Sequence, residues 1–196
     1  AMMRSAARLT YEQVQAAQDG RPDDVTDVLV KDVIAPLYGA YAVLARNRQA
    51  RGVLDLDLPE RKVIINDRGT VAEIALRERF DSHKLIEEFM ITANVAAAEA
   101  LEKKSLPCMY RIHDQPSPAK VTALSEAMAT IGFKLAKGQV MQSKNFNQLL
   151  AKAKGGSFER MVQELVLRSQ AQAEYSPDNI GHFGLALRRY CHFTSP

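Results

Sequence analysis

The fold of this chain is decided by residues 81–104, which read Asp-Ser-His-Lys-Leu-Ile-Glu-Glu-Phe-Met-Ile-Thr-Ala-Asn-Val-Ala-Ala-Ala-Glu-Ala-Leu-Glu-Lys-Lys. The segment begins with two residues that cap helices well, and Pro107 prevents its continuation, so it predicts one long helix. Apolar side chains surround this helix almost completely, and we therefore expect it to be buried. One of its narrow polar sectors carries Glu87 and Asn94, seven residues apart.

Glu87 is the first candidate functional residue. A carboxylate in a largely apolar helix must find hydrogen-bond donors. Glu87 could accept a hydrogen bond from a ligand hydroxyl, with Asn94 beside it. It could also form a salt bridge with Lys84 or with an arginine near the surface. The residues alone leave both interpretations open.

Outward from this helix, helical and strand-like patterns alternate along the chain. In chain order they are a helix after a Thr10–Gln13 capping box, a long helix from Asp23 to about Gly52 with a kink at Pro36, a strand-like stretch over 53–58, a hairpin over 62–75, a strand over 109–113, helices over 119–131, 145–154 and 158–173, and an alternating tail over 180–193. This succession predicts a helix-rich α+β fold with short antiparallel strands packed by helices. The strands are too few for a complete sheet, so we expect it to be incomplete.

Two strand-like segments carry polar residues that could bind a ligand. Arg111 and His113 alternate on one strand and form a basic pair suited to phosphate, although a strand arginine is often a solvated edge residue. His182, Gly184 and Ala186 form a face with little side-chain bulk. Such a face permits the close approach of a ligand, but a β-bulge or tight packing explains it equally well.

Composition excludes several classes of protein. The chain has 196 residues, of which 46% are hydrophobic and 25% charged, and its net charge of +3 is too small to indicate nucleic-acid binding by itself. Its unbroken apolar runs are short, so we expect no membrane span and no signal peptide. Cys108 and Cys191 form neither a disulfide framework nor a zinc site, which favours a reducing cytoplasm.

No complete catalytic set is visible in the residues themselves. Residues 155–157 lack the lysine of a phosphate-binding loop. Asp55 and Asp57 alternate on the strand-like stretch, but two carboxylates alone are weak evidence for a magnesium site.

Several stretches, taken in order, resemble the RNB catalytic domain of the RNase R and RNase II family of 3′→5′ exoribonucleases, and RNase R more closely. They are Arg8-Leu-Thr-Tyr11, Arg51-Gly52, Leu58-Pro-Glu60, Lys84-Leu-Ile-Glu-Glu-Phe-Met90, Ala93-Asn94, Tyr110-Arg-Ile-His-Asp114, Pro116-Ser-Pro118, Ser169-Gln170-Ala171, Tyr175, Gly181–Leu187 and Tyr190–Pro196. The resemblance implies a partial RNB domain from a hydrolase that degrades single-stranded RNA from its 3′ end to nucleoside 5′-monophosphates.

The resemblance also implies which parts are missing. In the family, an aspartate cluster upstream of the matched region holds Mg²⁺, and a catalytic arginine follows the threonine-serine-proline that ends this chain. We therefore expect residues 8–196 to be the central part of an RNB domain, without cold-shock or S1 modules, and residues 1–7 to be a cloning remnant or a linker. Mg²⁺ is expected in the full-length protein and not in this fragment, which should be inactive alone.

The family's RNA-guiding positions supply the expected site residues. Tyr11 matches a tyrosine that helps to fix the position of the 3′ end, and Glu87 matches a glutamate that accepts a hydrogen bond from a ribose hydroxyl. Near Leu56 the family places an aromatic base clamp, so a leucine there puts the clamp in doubt. The other expected RNA contacts are Asn94, Arg111, His113, His182, Thr194 and Ser195.

Two alternatives to an exoribonuclease part remain open. The chain could be a non-catalytic RNA-binding or protein-interaction module derived from an RNB domain. It could also be a structural helical domain without a ligand. Because the chain segments on each side are expected to be missing, exposed strand edges and apolar surface would favour self-association of this fragment.

Overall fold

The computed structural model describes residues 2, 4–56, 58, 61–76, 78–135 and 141–195. Helices dominate these ranges, and the strands form two antiparallel pairs, so the helix-rich α+β fold class is confirmed. In chain order the elements are α1 (Tyr11–Gln18), α2 (Asp27–Leu29), α3 (Ala35–Arg51), β1 (Arg61–Ile65), β2 (Val71–Leu76), α4 (Asp81–Lys103), β3 (Tyr110–Ile112), α5 (Pro118–Thr130), α6 (Ser143–Ala153), α7 (Glu159–Ser169) and β4 (Glu174–Ser176).

The chain divides into two compact units. The first contains Ala1–Asn47, Glu60–Thr92 and Pro196, and the second contains Arg48–Pro59 and Ala93–Ser195. The boundaries fall within α3 and α4, so each of these helices contributes residues to both units.

In the first unit, α1 begins at the expected capping box. The Thr10 hydroxyl accepts a hydrogen bond from the Gln13 backbone N–H (3.2 Å), and Gln13 Oε1 accepts one from the Thr10 N–H (3.0 Å). These bonds satisfy N–H groups that have no partner within the helix. The cap thereby fixes the position of Tyr11, the first residue of α1.

The second predicted helix contains an irregular turn. Asp23 caps its start by accepting hydrogen bonds from the N–H groups of Val25 (3.1 Å) and Thr26 (2.8 Å). The helix then widens into a π-helical turn at Val30–Ile34 and continues as α3. Pro36 has no N–H to donate, and the wide turn directly before it adapts the backbone to that missing bond.

Residues Asp27–Arg51 bear on the expectation that no segment spans a membrane. By length and composition this helix is long and apolar enough to cross a membrane, with a mean hydropathy of 1.5 over an 18-residue window. Unbroken apolar runs do not reveal it, because Lys31 and Asp32 interrupt the sequence. Length and composition are weak evidence for a span, since the core helices of water-soluble proteins pass the same test.

Strands β1 and β2 form the predicted hairpin of the first unit. Asn66 stabilises its turn, because Asn66 Oδ1 accepts hydrogen bonds from the N–H groups of Arg68 (3.0 Å) and Thr70 (3.1 Å). Val63 and Ile74 face each other across the strands, and they are 50% and 61% exposed. The hairpin therefore presents apolar side chains to solvent.

The sequence led us to expect that helix α4 is buried all round, but it is buried along only part of its surface. Leu85, Ile91 and Ala98 are buried, whereas Ile86 and Ala96 are exposed. Helical periodicity shows which residues share a face, but it does not show which faces have neighbours.

In the second unit, α5, α6 and α7 pack around a hydrophobic core. Its buried members are Leu124, Met128, Met141, Phe146, Leu149, Ala153, Val162 and Val166. A smaller cluster joins the last part of α4 to β3 and the C-terminal segment through Ala98, Cys108, Tyr110 and Cys191.

Two alternating stretches predicted as strands are not strands. Residues 53–56 are irregular, and Leu54 and Leu56 pack against the core of the second unit. In the tail, residues 183–186 form turns, and Gly181 and Ala186 have positive φ angles of 82° and 50°. An extended strand does not accommodate these angles. The alternation of small and large residues there reflects packing within a turn.

Candidate functional site

Tyr11 lies at the start of α1, where its ring stacks on His83 in the first unit. The two ring centroids are 4.0 Å apart, with an angle of 17° between the planes. His83 also stacks with Phe80, at 5.6 Å and 23°. The Tyr11 side chain remains 39% exposed, so it offers aromatic surface on a fixed support. Sequence analysis missed His83 and Phe80, because nothing local shows that α1 lies against them.

Hydrogen bonds fix α1 to the beginning of α4. The Ser82 hydroxyl donates to the Tyr11 carbonyl oxygen (2.9 Å), and the Ser82 N–H donates to Gln15 Oε1 (3.2 Å). The Tyr38 hydroxyl donates to the same Gln15 oxygen (3.2 Å). Ser82 is buried, so its bonds are protected from water. The backbone of Tyr11 is therefore held directly by the first turn of α4.

Glu87 forms an ion pair with Arg79, and both side chains are partly exposed. This is the salt-bridge interpretation that the sequence left open, with Arg79 as a partner, whereas Lys84 pairs with Asp81 (3.0 Å). The neighbouring Glu88 is buried, at 4% exposed, whereas the Glu87 carboxylate is only partly buried. A carboxylate can accept about four hydrogen bonds, so the ion pair does not prevent Glu87 from binding a hydroxyl.

A cleft of about 560 Å³ lies in the first unit, between α1 and the residues that precede α4. Its lining includes Arg79, the partner of Glu87, and α1 residues that follow Tyr11. It also includes more acidic than basic side chains, with four carboxylates and two arginines. Because like charges repel, a nucleic-acid phosphate would not favour this cleft.

The described part of the chain forms no metal centre. Within it, no three His, Cys, Asp or Glu side chains lie close enough together to hold a metal ion. Asp55 is exposed, and its backbone N–H donates to Asn147 Oδ1 (3.0 Å). Asp57 lies outside the described residues. These residues therefore do not fit a magnesium site.

Asn94 is fully buried in the second unit and fastens the C-terminal segment to α4. Its Nδ2 donates to the Thr194 carbonyl oxygen (2.9 Å) and to the Tyr190 hydroxyl (3.1 Å), and its Oδ1 accepts from the Thr194 N–H (2.7 Å). These bonds give the Asn94 amide a structural role, and its contact with RNA stays a prediction. Thr194 likewise uses its backbone groups on Asn94, whereas Ser195 is exposed.

His113 and His182 also bind the protein itself. His113 Nδ1 accepts from the Gly184 N–H (2.9 Å), and its Nε2 lies 3.0 Å from the Ala171 carbonyl oxygen, so Nε2 carries the proton. His182 Nδ1 accepts from the Leu185 N–H (3.2 Å). Burial, and then the neighbouring His113, lowers the pKa of His182 to about 4. The lowered pKa keeps His182 neutral near pH 7, so His182 is not a cationic phosphate ligand there.

The small residues of this turn pack tightly. A Cβ added at Gly184 would lie 3.1 Å from His113 Nδ1. Of the two explanations that the sequence left open for this position, the structure shows close packing. Leu56, the doubtful base clamp, is partly buried and packs against the core formed by α5, α6 and α7.

Arg111, another predicted contact residue of the second unit, is half-buried and carries a permanent positive charge. It pairs with Tyr175 across β3 and β4, and its guanidinium carbon lies 4.6 Å from the centre of the tyrosine ring. The Tyr175 hydroxyl and His192 Nδ1 are joined by a hydrogen bond of 2.6 Å. Burial, and then the charge of Arg111, lowers the pKa of His192.

Comparison with known proteins identifies the family. The family model described as the RNB domain matches residues 1–196. The chain belongs to the RNB domain family. Ribonuclease R from Aquifex aeolicus (strain VF5) and from Escherichia coli (strain K12) are 39% and 40% identical to this RNB chain over 198 residues. The whole chain is covered in both comparisons, and it spans 28% and 24% of the length of these relatives.

Solved structures share the RNB fold of this chain. Mycoplasma genitalium RNase R in complex with ribose methylated single-stranded RNA has a TM-score of 0.87 at 24% identity, over 96% of this chain and 30% of that one. The same enzyme in complex with double-stranded RNA has a TM-score of 0.86 at 25% identity, over 96% of this chain and 34% of that one. Yeast Ssd1, a pseudonuclease, has a TM-score of 0.64 at 17% identity, over 95% of this chain and 23% of that one. Because a pseudonuclease shares it, the fold alone does not determine activity.

Proposed function

We propose that this RNB chain is part of a hydrolytic 3′→5′ exoribonuclease that degrades single-stranded RNA to nucleoside 5′-monophosphates. The observation that carries the proposal is its identity of 39% and 40% to two ribonuclease R proteins along its whole length. We propose residues 8–196 as a central part of the domain. The relatives are bacterial and both thiols are free, in agreement with a bacterial cytoplasm.

Within such an enzyme, the first unit is proposed to guide the 3′ end of the RNA. The stacked ring of Tyr11 offers a surface for the terminal nucleotide, and the carboxylate of Glu87 offers an acceptor for a ribose 2′-hydroxyl. Arg79 orients the Glu87 side chain through their ion pair. A carboxylate can accept about four hydrogen bonds, so the paired group can still accept one from a hydroxyl.

Hydrolysis itself is proposed to require residues beyond those described. Magnesium, when bound in a longer protein, would supply the charge and the activated water for attack on the phosphodiester. The described residues do not form a site for it. This part of the protein therefore binds and orients RNA, and the chain by itself should not cleave it.

The proposal is tested by comparing the chain with a longer RNB protein that contains it. Each is incubated with Mg²⁺ and a labelled 20-nucleotide oligo(A), and the products are resolved by length. We expect successive release of mononucleotides by the longer protein and no product from the chain alone. A longer protein that binds RNA without hydrolysing it would favour the non-catalytic module. Mononucleotides whose yield rises with the amount of the chain would contradict its expected inactivity.

The proposed role of Glu87 is tested by Glu87→Gln in the longer protein. The amide keeps the shape of the side chain and weakens its acceptance of a hydroxyl, so the preference for RNA over DNA should fall by about five- to tenfold. Glu99→Gln, an exposed position on the same helix, is the matched control and should leave the preference unchanged. An unaltered RNA preference in Glu87→Gln would refute the ribose role.

A further inference from the structure

Strands β3 and β4 place an arginine against an aromatic ring at the surface of the second unit. Arg111 and Tyr175 are direct cross-strand partners, and the guanidinium carbon lies 4.6 Å from the ring centre. Tyr175 is 56% exposed despite this contact. Its hydroxyl is fixed by the hydrogen bond to His192, whose ring also meets Tyr190 edge to face at 5.6 Å. The tyrosine ring is therefore both exposed and held in one orientation.

Arg111 also has unused hydrogen-bonding capacity. Among the described residues, no carboxylate forms an ion pair with it, and its side-chain N–H groups have no protein acceptor. A guanidinium has five such donors in a planar arrangement that suits phosphate. A half-buried cation without an acidic partner favours an anionic ligand, and its position against Tyr175 places that anion beside an aromatic surface.

We propose that Arg111 and Tyr175 form a stacking site for single-stranded nucleic acid, in which a base lies on the tyrosine ring and the arginine binds the phosphate of the same strand. An exposed aromatic ring with an adjacent cation is the combination that single-stranded nucleic acids require. The site rests on the proposed function for its ligand and adds a contact point to it. Nothing in this pair of side chains reads a 2′-hydroxyl, so the site binds RNA and DNA alike.

The test measures binding of the chain to a fluorescein-labelled 10-nucleotide oligo(A) by fluorescence anisotropy, in buffers of 50 to 200 mM salt. Tyr175→Leu should weaken binding about tenfold, the order of effect of losing one base stack. Tyr175→Phe keeps the ring and loses only the hydroxyl, so it should bind within about twofold of the unaltered chain. Arg111→Gln should weaken binding and lower the slope of log affinity against log salt by about 1.

Two comparisons assign the effect to this site. Phe193→Leu removes another exposed ring, which directly follows His192 in the chain, and it should leave affinity unchanged. A DNA oligomer of the same length should lose affinity with Tyr175→Leu as much as RNA does. Glu87→Gln, in contrast, should alter the response to RNA alone, which separates this site from the proposed ribose contact.

The outcomes that overturn the stacking site are distinct from failure of the proposed function. Equal losses for Tyr175→Leu and Phe193→Leu would mean that Tyr175 makes no specific contact with the strand. A Tyr175→Phe variant as weak as Tyr175→Leu would show that the hydroxyl and not the stacked ring supports binding, which also refutes the stacking site. Competition by poly-glutamate as effective as by unlabelled oligo(A) would indicate an acidic protein partner instead. If the unaltered chain binds no oligomer, the site is refuted, whereas hydrolysis by the longer protein still decides the proposed function.

Discussion

Replacing Asn94 by alanine should destabilise the second unit by about 3 kcal/mol. The side chain is fully buried and makes three hydrogen bonds, two to the backbone of Thr194 and one to the Tyr190 hydroxyl. Each such bond contributes about 1 kcal/mol to the free energy of unfolding. Alanine also leaves the Thr194 N–H and carbonyl without their partner, although water can reach this partly exposed residue and limits the penalty.

The assay is equilibrium urea denaturation of the chain, followed by circular dichroism at 222 nm, because the sequence contains no tryptophan. With a denaturant slope of about 2 kcal/mol per molar, a loss of 3 kcal/mol lowers the urea midpoint by roughly 1.5 M. Thr92→Ala is the matched control, since this exposed hydroxyl bonds only to a carbonyl oxygen of its own helix (2.8 Å). It should change stability by no more than about 0.5 kcal/mol.

A second variant separates the hydrogen bonds from the volume of the side chain. Asn94→Asp keeps the shape but places a carboxylate oxygen opposite the Thr194 carbonyl, so at pH 7 it should be at least as destabilising as alanine. Protonation restores a donor, and the difference from the unaltered chain at the same pH should therefore narrow below about pH 5. The reasoning is refuted if Asn94→Ala unfolds within 0.5 kcal/mol of the unaltered chain.

Three further predictions concern other positions. Burial lowers the pKa of His182 from 6.5 to about 4, so the unfolded chain takes up this proton at a higher pH than the folded chain does. Urea titrations should therefore show that the free energy of unfolding falls by at most about 3 kcal/mol as the pH drops from 6.5 to 4. A free energy of unfolding that stays constant over this pH range would contradict the burial. Gly184→Ala should lower the free energy of unfolding, since its Cβ would lie 3.1 Å from an imidazole nitrogen. Gly39→Ala, in open space on α3, should raise the free energy of unfolding by up to about 1 kcal/mol, and melting temperatures measure both changes. Threonine at both Val63 and Ile74 should reduce self-association of the chain in light scattering, and an unchanged mass distribution would exclude the hairpin as the contact.

The elements predicted correctly are those whose signals lie close together in the chain. The Thr10–Gln13 capping box, the Asn66–Thr70 turn and the irregular backbone just before Pro36 in the first turn of α3 each involve residues within a few positions of one another. Physical chemistry at that distance does not depend on the rest of the fold. The bounds of α5 and α6 follow from the same kind of local periodicity, whereas α7 ends at Ser169, four residues before the predicted end at Ala173.

The errors arise where long-range contacts decide the backbone. The tail around Gly184 alternates like a strand, but its turn is held by the side chain of His113, 71 positions earlier. The carboxylate that α4 buries is Glu88 and not Glu87, because the neighbours of a helix determine which of its sectors is covered. No pattern within α4 contains that information.

In the candidate site, too, local motifs were predicted correctly and long-range contacts were not. Tyr11 was identified from its motif, but its stack with His83 depends on hydrogen bonds between Ser82 and α1 that span about 70 residues. The motif likewise contains Asn94 without showing whether its amide faces a ligand or the protein. A resemblance transfers the identity of residues, whereas their hydrogen-bond partners must come from coordinates.

A ligand can recruit only those donors and acceptors that the protein leaves available, and this separates the motif residues by role. Asn94 and His113 have both side-chain polar atoms engaged by protein groups, so their substitution should change stability before it changes affinity for RNA. Arg111 has no acceptor among the described residues, and Tyr175 is largely exposed, so their substitution should change affinity first. Measuring the free energy of unfolding and the affinity for RNA for each variant therefore distinguishes structural residues from RNA contacts, because each class is expected to change a different one of these quantities first.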